Sequence, residues 1–184
     1  MGHTMNSPDI PDIDEDHLIQ FHAPGAGKAG LVQLVSRRAQ EASKHARDFA
    51  ARKVAWIDKL GELFDRIEHD WLADLSQQGQ ITLTRGEIEL HEELIGAYRA
   101  PTLRIQVADA MVVLVPVGTF VSGASGRVDM KGPNGVVLLL LESADAQAPF
   151  EQRDFTWNIV NRSPRVTRTP LVEDTFSDAL TTLI

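Results

Sequence analysis

Residues Gly30 to Gln77 read GLVQLVSRRAQEASKHARDFAARKVAWIDKLGELFDRIEHDWLADLSQ, and this stretch decides the fold. It contains no proline and, after its first residue, only one glycine, Gly61. Apolar or small side chains recur every three or four residues, which is the spacing of one face of an α-helix. The pattern predicts one long helix over 30–77, or a helical hairpin that bends near Gly61. The face comprises Val35, Ala39, Ala42, Ala46, Phe49 or Ala50, Val54, Ile57, Leu60, Phe64, Ile67, Trp71 and Leu75.

The side chains of this face differ between its two halves. Alanines such as Ala42 and Ala46 make the first half slim, which allows close approach of a second helix. Bulky side chains such as Trp56 and Phe64 in the second half are suited to anchor a core. A helix over 30–77 would be about 70 Å long, more than a domain of this size covers. We expect the second half to dock on the sheet and the first half to form a projecting arm or a dimer contact.

Charge is also divided along the stretch. Residues 28–53 hold seven basic side chains and two acidic ones, whereas residues 54–77 hold two basic and six acidic ones. This order opposes the helix macrodipole, which favours acids early and bases late. An antiparallel partner helix, basic half against acidic half, would explain the order; a solvated face with ion pairs four residues apart is the simpler alternative. The partner-binding residues predicted on this helix are Arg37, Arg38, Ala42 and Ala46.

From Gln80 onward the apolar period changes to two, which is typical of strands. Short apolar runs separated by turn signals, such as the one at 131–135, predict an antiparallel meander of about five to seven strands over 80–160. We expect an extended connector at Asn161 to Thr169 and an amphipathic terminal helix at 172–184. The fold class is α+β, with a single domain over 29–184. The apolar face of the terminal helix is predicted to comprise Phe176, Ala179, Leu180, Leu183 and Ile184.

Composition bounds the function further. Residues 1–28 form an acidic leader that we expect to be disordered, because it holds too little apolar surface to offset ordering. The chain has a net charge of -8 and a pI near 5.2, which disfavours nucleic-acid binding. It has no cysteine, which excludes disulfides and cysteine-ligated metals. No run approaches the length of a membrane span, so we expect a cytoplasmic protein without membrane attachment and without a cofactor.

Two stretches invite a catalytic interpretation. Gly25-Ala26-Gly27-Lys28 lacks the earlier glycine and the following hydroxyl of a phosphate-binding loop, so nucleotide hydrolysis is disfavoured. Asp129 and Lys131 alternate on a predicted strand, and Asp109 offers a second carboxylate. Such an arrangement resembles the metal sites of the restriction-nuclease-like fold. It implies a metal-dependent nuclease, although that fold follows the lysine with a helix and this chain continues into a turn.

Three arginines near the C-terminus recur at every third position, at Arg162, Arg165 and Arg168. A polyproline-like conformation, with three residues per turn, would align them in one cationic ridge for an acidic partner. The simpler alternative is three solvated arginines. We include them among the partner-binding residues.

The sequence carries no coherent catalytic set, and its best-marked surface is the long helix. We therefore expect a noncatalytic protein-binding or accessory protein, of a chaperone-like or immunity type, that forms a homodimer through this helix. The alternatives are the nuclease using Asp109, Asp129 and Lys131, and a small-ligand module with a pocket between sheet and helix.

Overall fold

A computed structural model describes residues 27–121, 123–145, 148–161 and 166–184. The acidic leader, apart from its last residues, and the predicted ridge residues Arg162 and Arg165 lie outside these ranges. The chain divides into two compact units, Met1–Glu41 and Ala42–Ile184. In the described part of the first unit, every residue is helical.

The predicted long helix is confirmed, with a break near its end. Helix α1 (Gly27–Arg66) is 40 residues long and passes through Gly61 without interruption. A π-helical turn (Ile67–Trp71) continues it, and helix α2 (Ala73–Gln77) follows. The break lies at Leu72, whose φ of -114° and ψ of 7° leave the helical region. The hairpin alternative is therefore wrong, because the chain does not reverse at Gly61.

The predicted antiparallel meander is also confirmed. Among the described residues, seven strands form one sheet, and each pairs with the next along the chain. The connector predicted at 161–169 is wrong in part, because its last residues pair with β6 as an edge strand. Helix α3 (Glu173–Leu183) then closes the chain. The strands are β1 (Ile81–Glu92), β2 (Gly96–Val107), β3 (Ala110–Gly118), β4 (Gly126–Gly132), β5 (Gly135–Ser143), β6 (Phe155–Asn161) and β7 (Thr167–Pro170).

One face of α1 supplies a large part of the core of the second unit. Trp56, Leu60 and Phe64 are completely buried, and they belong to one cluster with side chains of the sheet and of α3. The apolar face of α3 is confirmed at Phe176 and its neighbours. Ile184 was predicted on that face but is 41% exposed, since the helix ends before it.

Strands β1 and β2 extend beyond the rest of the sheet as a two-stranded ribbon. Strand β3 pairs with β2 only from Leu103 onward, whereas β1 pairs with β2 over its whole length. Within the shared sheet the odd positions Leu103 and Ile105 are buried, but in the ribbon the even positions Leu90 and Tyr98 are buried. Two-stranded ribbons twist more than wide sheets do. Because of this twist, the even-numbered side chains of the ribbon around Leu90 and Tyr98 face the core, whereas in the shared sheet the odd-numbered ones do.

Close packing between α1 and the sheet requires a glycine at position 126. A Cβ added there would lie 2.8 Å from Cε3 of Trp56 and 2.9 Å from Cη2, in the middle of a completely buried side chain. We expect Gly126→Ala to lower the free energy of unfolding by roughly 1–3 kcal/mol, because the indole must move within a packed core. Chemical denaturation followed by tryptophan fluorescence measures the change.

Gly61→Ala is the matched control. Nothing lies within 4 Å of a Cβ at that helical position. The substitution should raise the free energy of unfolding by about 0.5–1 kcal/mol, since alanine is the better helix former. Equal effects of the two substitutions would contradict the packing described here.

Candidate functional site

The first half of α1 exposes large apolar side chains. Leu31 is 61% exposed, Val32 55% and Val35 58%. Every residue from Leu31 to Asp48 is exposed. Single exposed apolar residues are common, but a contiguous group on one helix is typical of an interaction surface.

The apolar spacing of the exposed part runs on in sequence into the part of α1 that is buried. Steps of three and four residues, the spacing of one helix face, lead from Val35 through Ala42 and Phe49 to Trp56 and Leu60. Trp56 and Leu60 are buried, whereas every residue from Leu31 to Asp48 is exposed. We call the exposed part the open stripe. It comprises Leu31, Val32, Val35, Ala39, Ala42 and Ala46.

The partner-binding residues predicted on α1 are all exposed, but they do not share one side. Ala42 and Ala46 belong to the open stripe, and Arg38 lies at its margin. Arg37 precedes Ala46 by nine residues, which at about 100° per residue puts it on the opposite side of the helix. The structure therefore places two of the four in the stripe and one beside it.

Next to the end of the open stripe lies a buried carboxylate that the sequence analysis did not single out. Glu92, at the end of β1, is 9% exposed. Its Oε2 accepts hydrogen bonds from the Thr119 backbone N–H at 2.7 Å, the Thr119 hydroxyl at 3.0 Å and the Phe120 N–H at 3.0 Å. The Tyr98 hydroxyl donates to Oε1. Donors from β2 and from the segment after β3 thus occupy both carboxylate oxygens.

The backbone around this carboxylate is shaped to receive it. Gly118 has a φ of +144°, which side chains rarely allow. A Cβ at Gly118 would lie 2.8 Å from Oε2 of Glu92. Position 118 therefore requires glycine for two reasons: its positive φ disfavours other residues, and the Glu92 carboxylate occupies the space of a Cβ.

Arg52 of α1 reaches the same segment from the other side. Its Nη2 donates to the Thr119 carbonyl at 2.6 Å, and its guanidinium lies 4.3 Å from the ring centre of Phe120 and 4.7 Å from that of Phe150. Burial lowers the pKa of Arg52 and the charge of Arg153 lowers it further, while Glu92 opposes both. The Thr119 peptide thus lies between a cation that its carbonyl binds and an anion that its N–H binds.

This arrangement holds β1, β2 and the segment after β3 together through hydrogen bonds. Burial raises the pKa of Tyr98 above its ordinary value, and its hydrogen bond to Glu92 and the charge of Glu92 raise it further. The hydroxyl therefore remains a donor to Glu92 at neutral pH. No signal in the sequence marks the site, because Glu92 and Thr119 are 27 residues apart.

The structure brings together two of the three residues of the nuclease alternative. The Lys131 Nζ lies 4.0 Å from Oδ2 of Asp129. Arg127, however, binds the same carboxylate with both Nε, at 2.6 Å, and Nη2, at 3.1 Å. Asp109 lies in the turn before β3, and the residue that opposes Asp129 is Val115, about 17 Å along that strand. The three side chains therefore do not converge.

An acidic cluster at the end of α1 and in the following π-helical turn already binds a cationic side chain of β1. Ligand atoms of Asp65, Glu68 and His69 lie within 4.8 Å of one another. Arg85 of β1 donates to Asp65 at 2.7 Å and to Glu68 at 2.7 Å. Burial lowers the pKa of Arg85, but these two carboxylates outweigh it and the pKa is raised. The guanidinium thus occupies both of the carboxylates that a metal ion would need.

The remaining candidates are the arginine ridge and a ligand pocket. Of the three arginines only Arg168 lies in the described ranges, and its Nε donates to Oε1 of Glu142 at 2.8 Å. An open groove of about 420 Å³ lies between α3 and the last strands, with Val137, Ile159 and Ala179 among its lining residues. It corresponds in place to the pocket of the small-ligand alternative.

Comparison with models of protein families, with curated proteins and with solved structures found no match for this chain. Within the described ranges, none of the helices combines the length and the apolarity that crossing a bilayer requires.

We expect Glu92→Gln to lower the free energy of unfolding by about 1.5–3 kcal/mol, because the amide loses the charge and presents an N–H₂ group to fixed donors. Glu93→Gln is the matched control, since Glu93 is the exposed neighbour. Denaturant unfolding measures both. A loss for Glu92→Gln no larger than that of the control would show that the buried carboxylate stabilises nothing.

Tyr98 is the only tyrosine of the chain, so phenolate absorbance reports on it alone. We expect its titration midpoint in the folded protein to lie above the ordinary value of about 10, and to return to that value in denaturant. Because the folded-state pKa is raised, the stability that this bond contributes is present below about pH 10 and lost as the pH rises through the folded value. A native midpoint at or below 10 would refute this environment.

Proposed function

We propose that this protein is a noncatalytic protein-binding or accessory protein that self-associates through the open stripe of α1. The observation that carries the proposal is the exposure of three large apolar side chains, Leu31, Val32 and Val35, within one turn of helix α1. Leaving such a stripe in water forgoes the free energy of its burial, roughly 1.5 kcal/mol or more for each large side chain. A second protein surface would recover it.

The polar sites support a noncatalytic function. Donors of the fold occupy the Glu92 carboxylate, Arg127 and Lys131 surround the Asp129 carboxylate, and Arg85 lies between Asp65 and Glu68. Each of these carboxylates has a local partner that accounts for its position. A chaperone-like or immunity-type protein would use a surface, and the open stripe is an exposed apolar surface of the described residues.

Light scattering or sedimentation over the micromolar range tests the proposal. The wild-type chain should show a concentration-dependent increase in mass, and Val35→Glu should weaken association more than about tenfold, because it removes apolar burial and places a charge in the contact. Gln33→Glu adds the same charge outside the stripe and should leave association nearly unchanged. A wild-type chain that stays monomeric at several hundred micromolar would end the proposal.

A further inference from the structure

Strands β3 and β5 lack the alternation expected of a sheet with one face in water. Every residue from Met111 to Val117 and from Val136 to Leu141 carries an apolar side chain. An antiparallel sheet that is solvated on one side usually alternates apolar with polar residues, whereas continuous apolar runs are typical of strands covered on both faces. The two runs therefore indicate that the outer face of the sheet, which points away from the core, is suited to burial.

Five apolar side chains lie together on this outer face. Val113 and Val115 of β3 lie opposite charged residues of β4. On the other side of β4, the same charged residues lie opposite Val136 and Leu138 of β5. Met111 is 48% exposed and Val136 53%, and the other three are half-buried. Within the described ranges, none of the five belongs to the core cluster or packs against it. We call these five residues the outer patch.

The charge of the outer face is opposite in sign to that of the whole chain. The strand residues on this face include four cations and two carboxylates, a net charge of +2, whereas the chain carries -8. Each carboxylate already binds one of the arginines, at 2.6 Å and at 2.8 Å. The charged residues are Arg104, Arg127, Lys131 and Arg168, with Asp129 bound to Arg127 and Glu142 bound to Arg168.

The two remaining cations border the outer patch. Arg104 and Lys131 both lie opposite Val113, one from β2 and the other from β4. Arg104 makes no ion pair with the described part of the chain. The Lys131 Nζ is 4.0 Å from the carboxylate that Arg127 binds more closely. The outer patch is thus an apolar surface beside two cations that local carboxylates do not fully compensate.

We propose that the outer patch docks an amphipathic helix of a partner protein, with aspartate or glutamate beside the apolar stripe of that helix. The inference rests on the protein-binding function proposed above and not on self-association. Charge complementarity selects an acidic partner, because carboxylates at the edge of the stripe would pair with Arg104 and Lys131. The outer patch of a second copy would instead oppose cations with cations.

The strands under the patch favour a helix as the occupant. Strands β3, β4 and β5 pair on both sides, so they offer no free backbone groups to an added strand. The distance from β3 to β5 is about 10 Å, which matches the diameter of a helix. Membrane-surface contacts use aromatic and other side chains that reach into the bilayer. None of the five patch residues is aromatic, and Val113 and Val115 are half-buried, which suits a complementary protein surface.

Fluorescence anisotropy with designed peptides tests the proposal on the full chain. The probe is a labelled 18-residue helical peptide with leucines at spacings of three and four and glutamates beside them. Its counterpart has lysine in place of every glutamate. We expect the glutamate peptide to bind with a Kd below about 100 µM, since the contact is smaller than a standard interface, and the lysine peptide to bind at least tenfold more weakly.

Charge reversal beside the patch locates the binding. Arg104→Glu combined with Lys131→Glu should weaken binding of the glutamate peptide at least tenfold, because the cations become repulsive. Arg47→Glu combined with Arg99→Glu is the matched control, since it changes the net charge by the same amount at exposed positions outside the patch. The control should stay within about twofold of the wild-type chain. An equal loss in both double variants would overturn the inference.

Three further outcomes would also overturn it. A peptide with glutamine in place of every leucine that binds as tightly would show that the apolar patch is not used. A loss of binding in Val35→Glu would place the peptide on the open stripe. Binding to phosphatidylglycerol vesicles without binding to the peptide would indicate a membrane surface. Light scattering reports self-association separately, so a dimer that binds no peptide removes this inference alone.

Discussion

The burial of one side of α1 against the sheet is the contact on which the rest of the structure depends. Trp56, Leu60 and Phe64 of α1 and Ile67 of the following π-helical turn are completely buried along it. Burying a large apolar side chain contributes about 1.5–3 kcal/mol, so these four contribute roughly 6–12 kcal/mol, which is as large as the whole net stability of a typical domain. The sheet supplies the opposing surface, and it admits the Trp56 indole because position 126 has no side chain.

The buried polar site lies where this covered part of the helix begins. Arg52 and Glu92 do not bind each other directly, but both bind the Thr119 peptide, one at its carbonyl and one at its N–H. The charges are thus compensated through a backbone group, which also orders the segment after β3. This site joins α1, the two-stranded ribbon and the segment after β3. The residues of α1 that precede the site, from Leu31 to Asp48, are exposed.

The sequence predicted the elements well because their signals are local. The helical period over 30–77, the alternation after Gln80 and the turn at 131–135 depend on neighbouring residues, and the structure confirms the elements they predicted. Strand β7 was not predicted, because its partner in β6 decides its pairing and proline at either side suggested a connector. The Glu92 site was also missed, since its donors come from two distant segments. The exposure of the first half of α1 could be predicted from the length of the helix, because a helix of about 70 Å is longer than a domain of this size can cover.

The order of the strands determines how much conformational entropy the chain loses when the loops between paired strands close. Every strand pairs with its sequence neighbour, so the sheet forms through a succession of short loops, and each closure costs little. The link between Arg52 and Thr119 instead spans 67 residues. The attachment of the helix thus joins residues much further apart in sequence than the strand pairings do, and contacts of large sequence separation correlate with slow folding. In this topology the sheet can form from contacts between neighbouring strands, whereas the packing of α1 on the sheet requires contacts between residues far apart in the sequence.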